Sequence, residues 1–195
     1  MMSPSRGGVI ALLSAAAALT LEGCVPLVIG AAAGGTALVA TDRRTTGTQL
    51  DDEVIEDKIA FNVRERFKDG AHVNVTSYNA IVLLTGEVPT EAARVDIAQL
   101  ALTTPKVRAI QNEIVIGPVT NLGSRSNDTL ITSKVKTRFV EANKFQINHV
   151  KVVTERGVVY LLGLVRRGEG DTAAEIASTT AGVQRVVKVF EYLAG

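Results

Sequence analysis

Three side chains of the 195-residue sequence could serve as a nucleophile or base near neutral pH: Cys24, His72 and His149. They lie far apart in the chain. Neither histidine belongs to an HExxH pattern or has a cysteine nearby, and no GxSxG elbow is present. Gly30–Gly35 lacks the Gly-Lys-Ser/Thr ending that a phosphate loop needs. The run Asp51-Asp52-Glu53 with Glu56 and Asp57 could attract a cation, but it suits a solvated helix N-terminus better, where carboxylates complement the positive end of the dipole. His72 and His149 each directly precede a β-rich run, which fits a strand-edge role. A single cysteine allows no internal disulfide and no Cys-based zinc site. No catalytic residue, metal site or cofactor is therefore expected, and the chain is read as a non-enzyme.

Composition narrows the class further. A 46% hydrophobic and 21% charged chain can build a packed core. A net charge of +1 and 4% aromatics argue against a nucleic-acid partner, which would need a basic surface and stacking platforms.

Cys24 ends a segment of its own. Arg6 precedes the apolar run Val9–Leu21, the order of an export signal. Leu21-Glu22-Gly23-Cys24 resembles the lipobox of bacterial lipoproteins. The resemblance implies cleavage before Cys24 and acylation of its thiol, and Val25 rather than Asp after the cysteine implies the outer membrane. Several acyl chains, at about 0.8 kcal/mol per buried methylene, hold a protein stably in a leaflet. Val25–Ala40 is apolar over 16 residues, short of the ~20 that span a bilayer as a helix, and reads as a tether. Asp42-Arg43-Arg44 and the residues up to Gln49 read as exposed linker.

The remainder is one unit written twice, offset by 76 to 77 residues. Asp52 matches Asp128, Lys58-Ile59 matches Lys134-Val135, and Val73-x-Val75 matches Val150-x-Val152. Ile81–Gly86 matches Val158–Gly163, and Thr103–Val107 matches Thr179–Val183. Each unit begins with a helix, for which Asp52 and Asp128 are the expected N-caps. Ile131, Val135 and Phe139 recur every four residues as a core-facing stripe. Two β-rich runs follow, then an Ala-rich helix (about Thr90–Thr103 and Glu169–Thr180) and a last strand (Val107–Ile116 and Val183–Leu193). The order α-β-β-α-β predicts an α+β fold. A hairpin joins a parallel third strand through a right-handed helical crossover, giving a three-stranded mixed sheet packed on two helices. Units of about 65 residues are marginal alone, so the pair is expected to pack together or on a partner.

The order of these landmarks, with Gly86 and Gly163 after an apolar strand and Val107 and Val183 opening the last strand, resembles the BON domain in both units. With the lipobox, the chain resembles the dual-BON-domain lipoproteins of the Gram-negative outer membrane. The expected organisation is a signal peptide over 1–23, a lipidated tether over 24–50, BON domains over 51–116 and 127–195, and a linker over 117–126.

Charge divides the two units. Residues 51–116 hold 7 Lys+Arg and 11 Asp+Glu, a net of −4, whereas residues 117–195 hold 11 and 7, a net of +4. A lipid-anchored protein with a basic second domain has anionic phospholipid as an evident target; equal and opposite charges could also dock the repeats on each other. On the second unit's first helix, Leu130, Lys134 and Arg138 form a stripe beside the core-facing one, an apolar tip above cations. The equivalent Val54, Lys58 and Asn62 lie among acids. The family resemblance implies phospholipid binding at this helix, and the expected contact set is Leu130, Ile131, Lys134, Lys136, Thr137 and Arg138, with the segment Thr180–Gln184 near the same end. Expected partners are an anionic phospholipid membrane and outer-membrane assembly or peptidoglycan-remodelling proteins. The expected function is support of envelope integrity and outer-membrane assembly from the periplasmic face. The alternative is an adaptor that docks an envelope protein or the peptidoglycan machinery through the acidic first domain.

Overall fold

Apolar residues four apart dictate where the first helix of each repeat lies. Ile55, Ile59 and Val63 line one face of α1 (Thr46–Phe67), and Ile131, Val135 and Phe139 line its counterpart α3 (Leu122–Ala142); all are buried. In the computed structural model, which describes residues 42–194, α1 packs on a hairpin of β1 (His72–Tyr78) and β2 (Ile81–Val88). Helix α2 (Glu91–Leu102) then crosses over to β3 (Ala109–Asn112) and β4 (Val115–Ile116), both parallel to β2. The second repeat follows the same path through α3, β5 (Val150–Glu155), β6 (Val158–Val165), α4 (Arg167–Ser178) and β7 (Arg185–Tyr192). Strand orders are β1-β2-β3 and β5-β6-β7, with the hairpin's second strand central in each. The last strand is continuous only in the second repeat. In the first, Asn112 Oδ1 accepts the Ile114 N–H at 3.2 Å, a local bond that competes with the ladder.

Helix starts differ from the sequence expectation. Thr45 caps α1 by accepting the Thr48 N–H at 3.1 Å, and Asn121 caps α3 by accepting the Ser124 N–H at 2.9 Å. Residues 46–50 and 122–126, read as linker, are therefore helical. Asp52 and Asp128 are not N-caps; they sit inside the helices, buried, and cap the hairpin turns instead. Asp52 accepts the N–H groups of Asn79 and Ala80 at 2.8 Å and the Ser77 hydroxyl at 2.6 Å. Asp128 accepts those of Arg156 at 2.9 Å and Gly157 at 2.8 Å. Both turns are two-residue turns with positive φ at each centre: 53° and 62° at Asn79-Ala80, 52° and 73° at Arg156-Gly157. That is the type I′ pattern, whose twist matches the flanking strands. The repeated aspartate thus fixes the helix against the turn of its own hairpin.

The repeated glycine has an equally local cause. A Cβ at Gly86 would stand 2.0 Å from the His72 carbonyl oxygen, and one at Gly163 2.3 Å from that of His149. The first strand of each repeat passes so close over the second that no side chain fits.

The helices cover one face of each sheet. On the other face, Tyr78 and Leu83 of the first repeat are buried in one cluster with Tyr160 and Leu162 of the second, flanked by Val153, Val187 and Val189. The central strands are consequently buried on both sides: Val82 and Leu84 belong to the first helix–sheet core while Leu83 belongs to the shared layer. This is why they read as continuous apolar runs rather than alternating ones. Polar pairs ring the shared layer. Lys151 meets Glu56 at 2.8 Å, Asn74 donates to Glu155 at 2.7 Å, Arg185 meets Glu113 at 3.5 Å and Arg108 meets Glu191 at 3.2 Å. Part of the opposite charge of the two units is therefore neutralised across their own contact. The described residues lie within one compact unit that holds both cores and the layer between them.

Replacing Asp128 by Ala leaves two turn N–H groups in a buried setting without acceptors. At ~1–3 kcal/mol per unmet group, the loss in a urea titration should be about 2–6 kcal/mol. Asp52→Ala should cost at least as much, because it also strands the Ser77 hydroxyl. Charge reversal at exposed Lys136 should leave the midpoint unchanged.

Candidate functional site

Cys24, the signal segment and the tether to Ala40 lie outside the described residues. The expected lipid-contact residues all lie within them, on α3. Leu130 is 59% exposed, and Lys134 and Thr137 are exposed on its side of the helix. Lys136 is exposed too but points about 120° away and is not brought together with them. Neither lysine meets a carboxylate among the described residues. Leu130, Ser133, Lys134, Thr137 and Arg138 form one wall of an open depression of about 390 Å³. Thr180 and Ala181, from the loop after α4, close it from the other side.

Two further residues of the expected set behave differently. Ile131 is only 1% exposed and belongs to the second helix–sheet core, so it is corrected out of any surface contact. It supports the loop from beneath: Gly182, at a φ of 98°, lies so close that a Cβ would be 3.0 Å from the Ile131 side chain. Arg138 is half-buried rather than fully presented. Its Nη1 donates to the Ile176 carbonyl and to the Thr180 hydroxyl, both at 2.8 Å, so the guanidinium ties the C-terminal end of α4 to α3. The cation also sits where that helix dipole is negative.

The matching surface of the first repeat has a different character. Val54, Lys58 and Asn62 are exposed, but Asn62 replaces the arginine clamp and Lys106 of the loop is held by Asp51 at 2.6 Å. Leu50 and Phe61, 57% and 58% exposed, join Val54 on α1. At 100° per residue the three fall within an arc of about 40°, beside Glu53 and Asp57. Sequence reading missed this apolar stripe; the spacing i, i+4, i+11 was its signal.

The stretch read as exposed linker is instead a clamp. Arg43 donates to both carboxylate oxygens of Glu169 at 2.7 and 2.8 Å and to the Leu164 carbonyl at 2.8 Å. Arg44 bridges Asp42 at 2.9 Å and Asp52 at 3.0 Å, and its guanidinium lies 3.9 Å over the Tyr78 ring. The residues preceding the first domain are thereby fastened to the second. Glu169 also accepts the Arg166 N–H at 2.7 Å, and Gly170 lies under Phe190, where a Cβ would be 3.1 Å from the ring. The unfavourable Gly-Glu-Gly start of α4 therefore serves close packing and a receptor for Arg43. The hydrogen bonds from Arg43, against an opposing contribution from burial, lower the Glu169 carboxyl to about 2.

Burial pushes the Glu155 carboxyl up at the inter-domain edge, opposed by the bond from Asn74 and reinforced by Glu87. Burial likewise raises the Tyr160 hydroxyl to about 12. Among the described residues no group of three His, Cys, Asp or Glu is placed to hold a metal, and no helix is long and apolar enough to cross a membrane.

A depressed carboxylate stabilises the fold above its unfolded pKa of 4.5, and that contribution disappears as pH falls toward the folded value of about 2. Thermal melts of the parent chain between these limits should therefore show an acid limb that is smaller in Glu169→Gln. An unchanged limb would mean that the Arg43–Glu169 pair contributes nothing.

The BON domain model matches residues 51–118 and again 127–194. The outer membrane lipoprotein DolP of Haemophilus influenzae is 40% identical over 179 residues, 91% of this chain and 92% of that protein. The 21 kDa hemolysin of Actinobacillus pleuropneumoniae is 38% identical over 78% of this chain and 79% of its own length. Osmotically-inducible protein Y of Escherichia coli is 26% identical over 76% of each. Two complete copies of one α-β-β-α-β unit, each matched along its length, place the chain in the BON-domain family.

Proposed function

We propose that this protein is a non-enzymatic outer-membrane lipoprotein, anchored through Cys24 with its two BON domains facing the periplasm, whose second domain binds anionic phospholipid. The localisation draws on the 40% identical relative named as an outer membrane lipoprotein, together with the lipobox-like Leu21–Cys24. The observation that carries the lipid reading is the α3 face: exposed Leu130 beside Lys134, which has no carboxylate partner among the described residues, on the rim of an open depression. Burying a leucine side chain contributes about 1.5–3 kcal/mol. Each lysine near an anionic surface adds about 1 kcal/mol. Such a site is weak alone and becomes effective when an acyl anchor raises its local concentration at the membrane. The protein would then favour membrane zones rich in anionic lipid, and from there support envelope integrity and outer-membrane assembly.

The Leu50–Val54–Phe61 stripe favours a second reading, an adaptor whose partner covers this acidic-edged apolar face with a cationic rim. Charge reversal separates the two. Residues 42–195 should co-sediment with phosphatidylglycerol vesicles and not with phosphatidylcholine vesicles. Leu130→Glu and Lys134→Glu should each reduce the bound fraction roughly tenfold, while Val54→Glu leaves it unchanged. Equal loss from all three variants, or no binding by the parent, would overturn the lipid reading.

A further inference from the structure

Basic side chains from three separate stretches of chain, two arginines, a lysine and a histidine, converge on a pocket that shares no residue with the Leu130 depression. Arg64 comes from the last turn of α1, Lys68 from the turn after it, His72 from the start of β1 and Arg125 from the beginning of α3. Val63 and Val119 are among the residues that supply apolar wall. The volume is about 460 Å³, and no carboxylate lines the pocket among the described residues. Small-molecule sites fall at ~300–1,000 Å³ and combine apolar walls with a few convergent polar groups.

The placement of charge points to a ligand. In the acidic first repeat, Arg66, Arg94, Lys106 and Arg108 each hold a carboxylate. Among the described residues Lys58, Arg64 and Lys68 hold none, and the last two face this pocket. The negative end of the α1 dipole accounts for cations there. It does not account for Arg125, the fourth residue of α3, where the positive end of a dipole disfavours a cation. Arg125 Nη2 donates to the Thr120 carbonyl at 3.2 Å, but its buried Nε–H meets no acceptor. Lys68 holds a φ of 47° at the end of α1, a position where glycine is usual. Asp128 and Glu155 line an adjoining cleft that shares only His72 and Arg125 with this pocket. Both are already engaged, by the turn N–H groups and by Asn74.

We infer that this pocket binds a small organic phosphate. Guanidinium forks from Arg64 and Arg125 and the Lys68 ammonium would meet the oxyanion, and the valine wall would take its carbon body. The phosphate could be a free metabolite or a phospholipid headgroup, and the same chemistry serves both.

The test is an NMR titration of residues 42–195, the part that holds both cores and their shared layer, with sn-glycerol 3-phosphate. Amide signals of residues 60–73 and 119–125 should shift in the millimolar range, about 1–10 mM. Arg125→Gln and Arg64→Gln should each weaken binding roughly tenfold, and Lys134→Glu should not. Arg64 and Lys68 are exposed, so Arg64→Gln and Lys68→Gln keep the fold even where Arg125→Gln disturbs it. Headgroup binding is indicated if Arg64→Gln also lowers phosphatidylglycerol vesicle binding in a Lys134→Glu background, and a free phosphate if it does not. No shifts at these concentrations, or shifts unaffected by Arg64→Gln and Lys68→Gln, would overturn the inference.

Discussion

A three-stranded sheet has two faces, and each repeat has two helices with which to cover one of them. The other face carries Tyr78 and Leu83, or Tyr160 and Leu162, side chains too large and apolar to leave in water. Packing the two sheets on each other through those faces resolves the constraint, and the arrangement of the whole molecule follows from it. The central strands become buried on both sides. The helices are driven to the outside of the pair, where the Leu130 depression lies. The ring of polar pairs around the shared layer fixes its orientation rather than driving its formation, since pairs as exposed as Lys151–Glu56 contribute little individually.

Seen from that contact, the opposite net charges of the repeats have two uses. Lys151 and Arg185 answer Glu56 and Glu113 across the contact, so part of the basic excess in the second repeat is internal. What remains outward, on α3, is a smaller group than the charge count suggests. Arg138 is committed to the end of α4, which leaves Lys134 as the cation beside Leu130 without a carboxylate partner among the described residues. The Arg43–Glu169 pair adds a directional element, since the segment that precedes the first domain is fastened to the second.

Much of this architecture was legible in the residues. The period-four stripe of Ile131, Val135 and Phe139, the duplicated apolar strand with Gly86 and Gly163, and the Ala-rich crossovers lead to α-β-β-α-β from the residues alone, because each depends on contacts near in sequence. The face bearing Leu130 and Lys134 followed from the same periodicity. What was misread depends on contacts distant in sequence. Asp52 and Asp128 look like helix caps because a cap and a buried turn acceptor use the same side chain; only the fold brings residues 79 and 157 to them. Arg43 looks like a linker residue because its partner is more than a hundred positions away. Ile131 was counted on both faces of one helix, and its burial removes it from the outer one.

The mutual concealment of the two sheets also bears on how a duplicated gene can diverge. A drift in Leu83 must be answered by Tyr160 or Leu162, so both copies are bound to a common history on that side. The outer helices carry no such obligation. One copy was free to become acidic with an apolar ridge, and the other basic with an arginine-tied loop, while the inherited scaffold stayed the same. Duplication here gave the protein a second surface to specialise, at the expense of independence for either half.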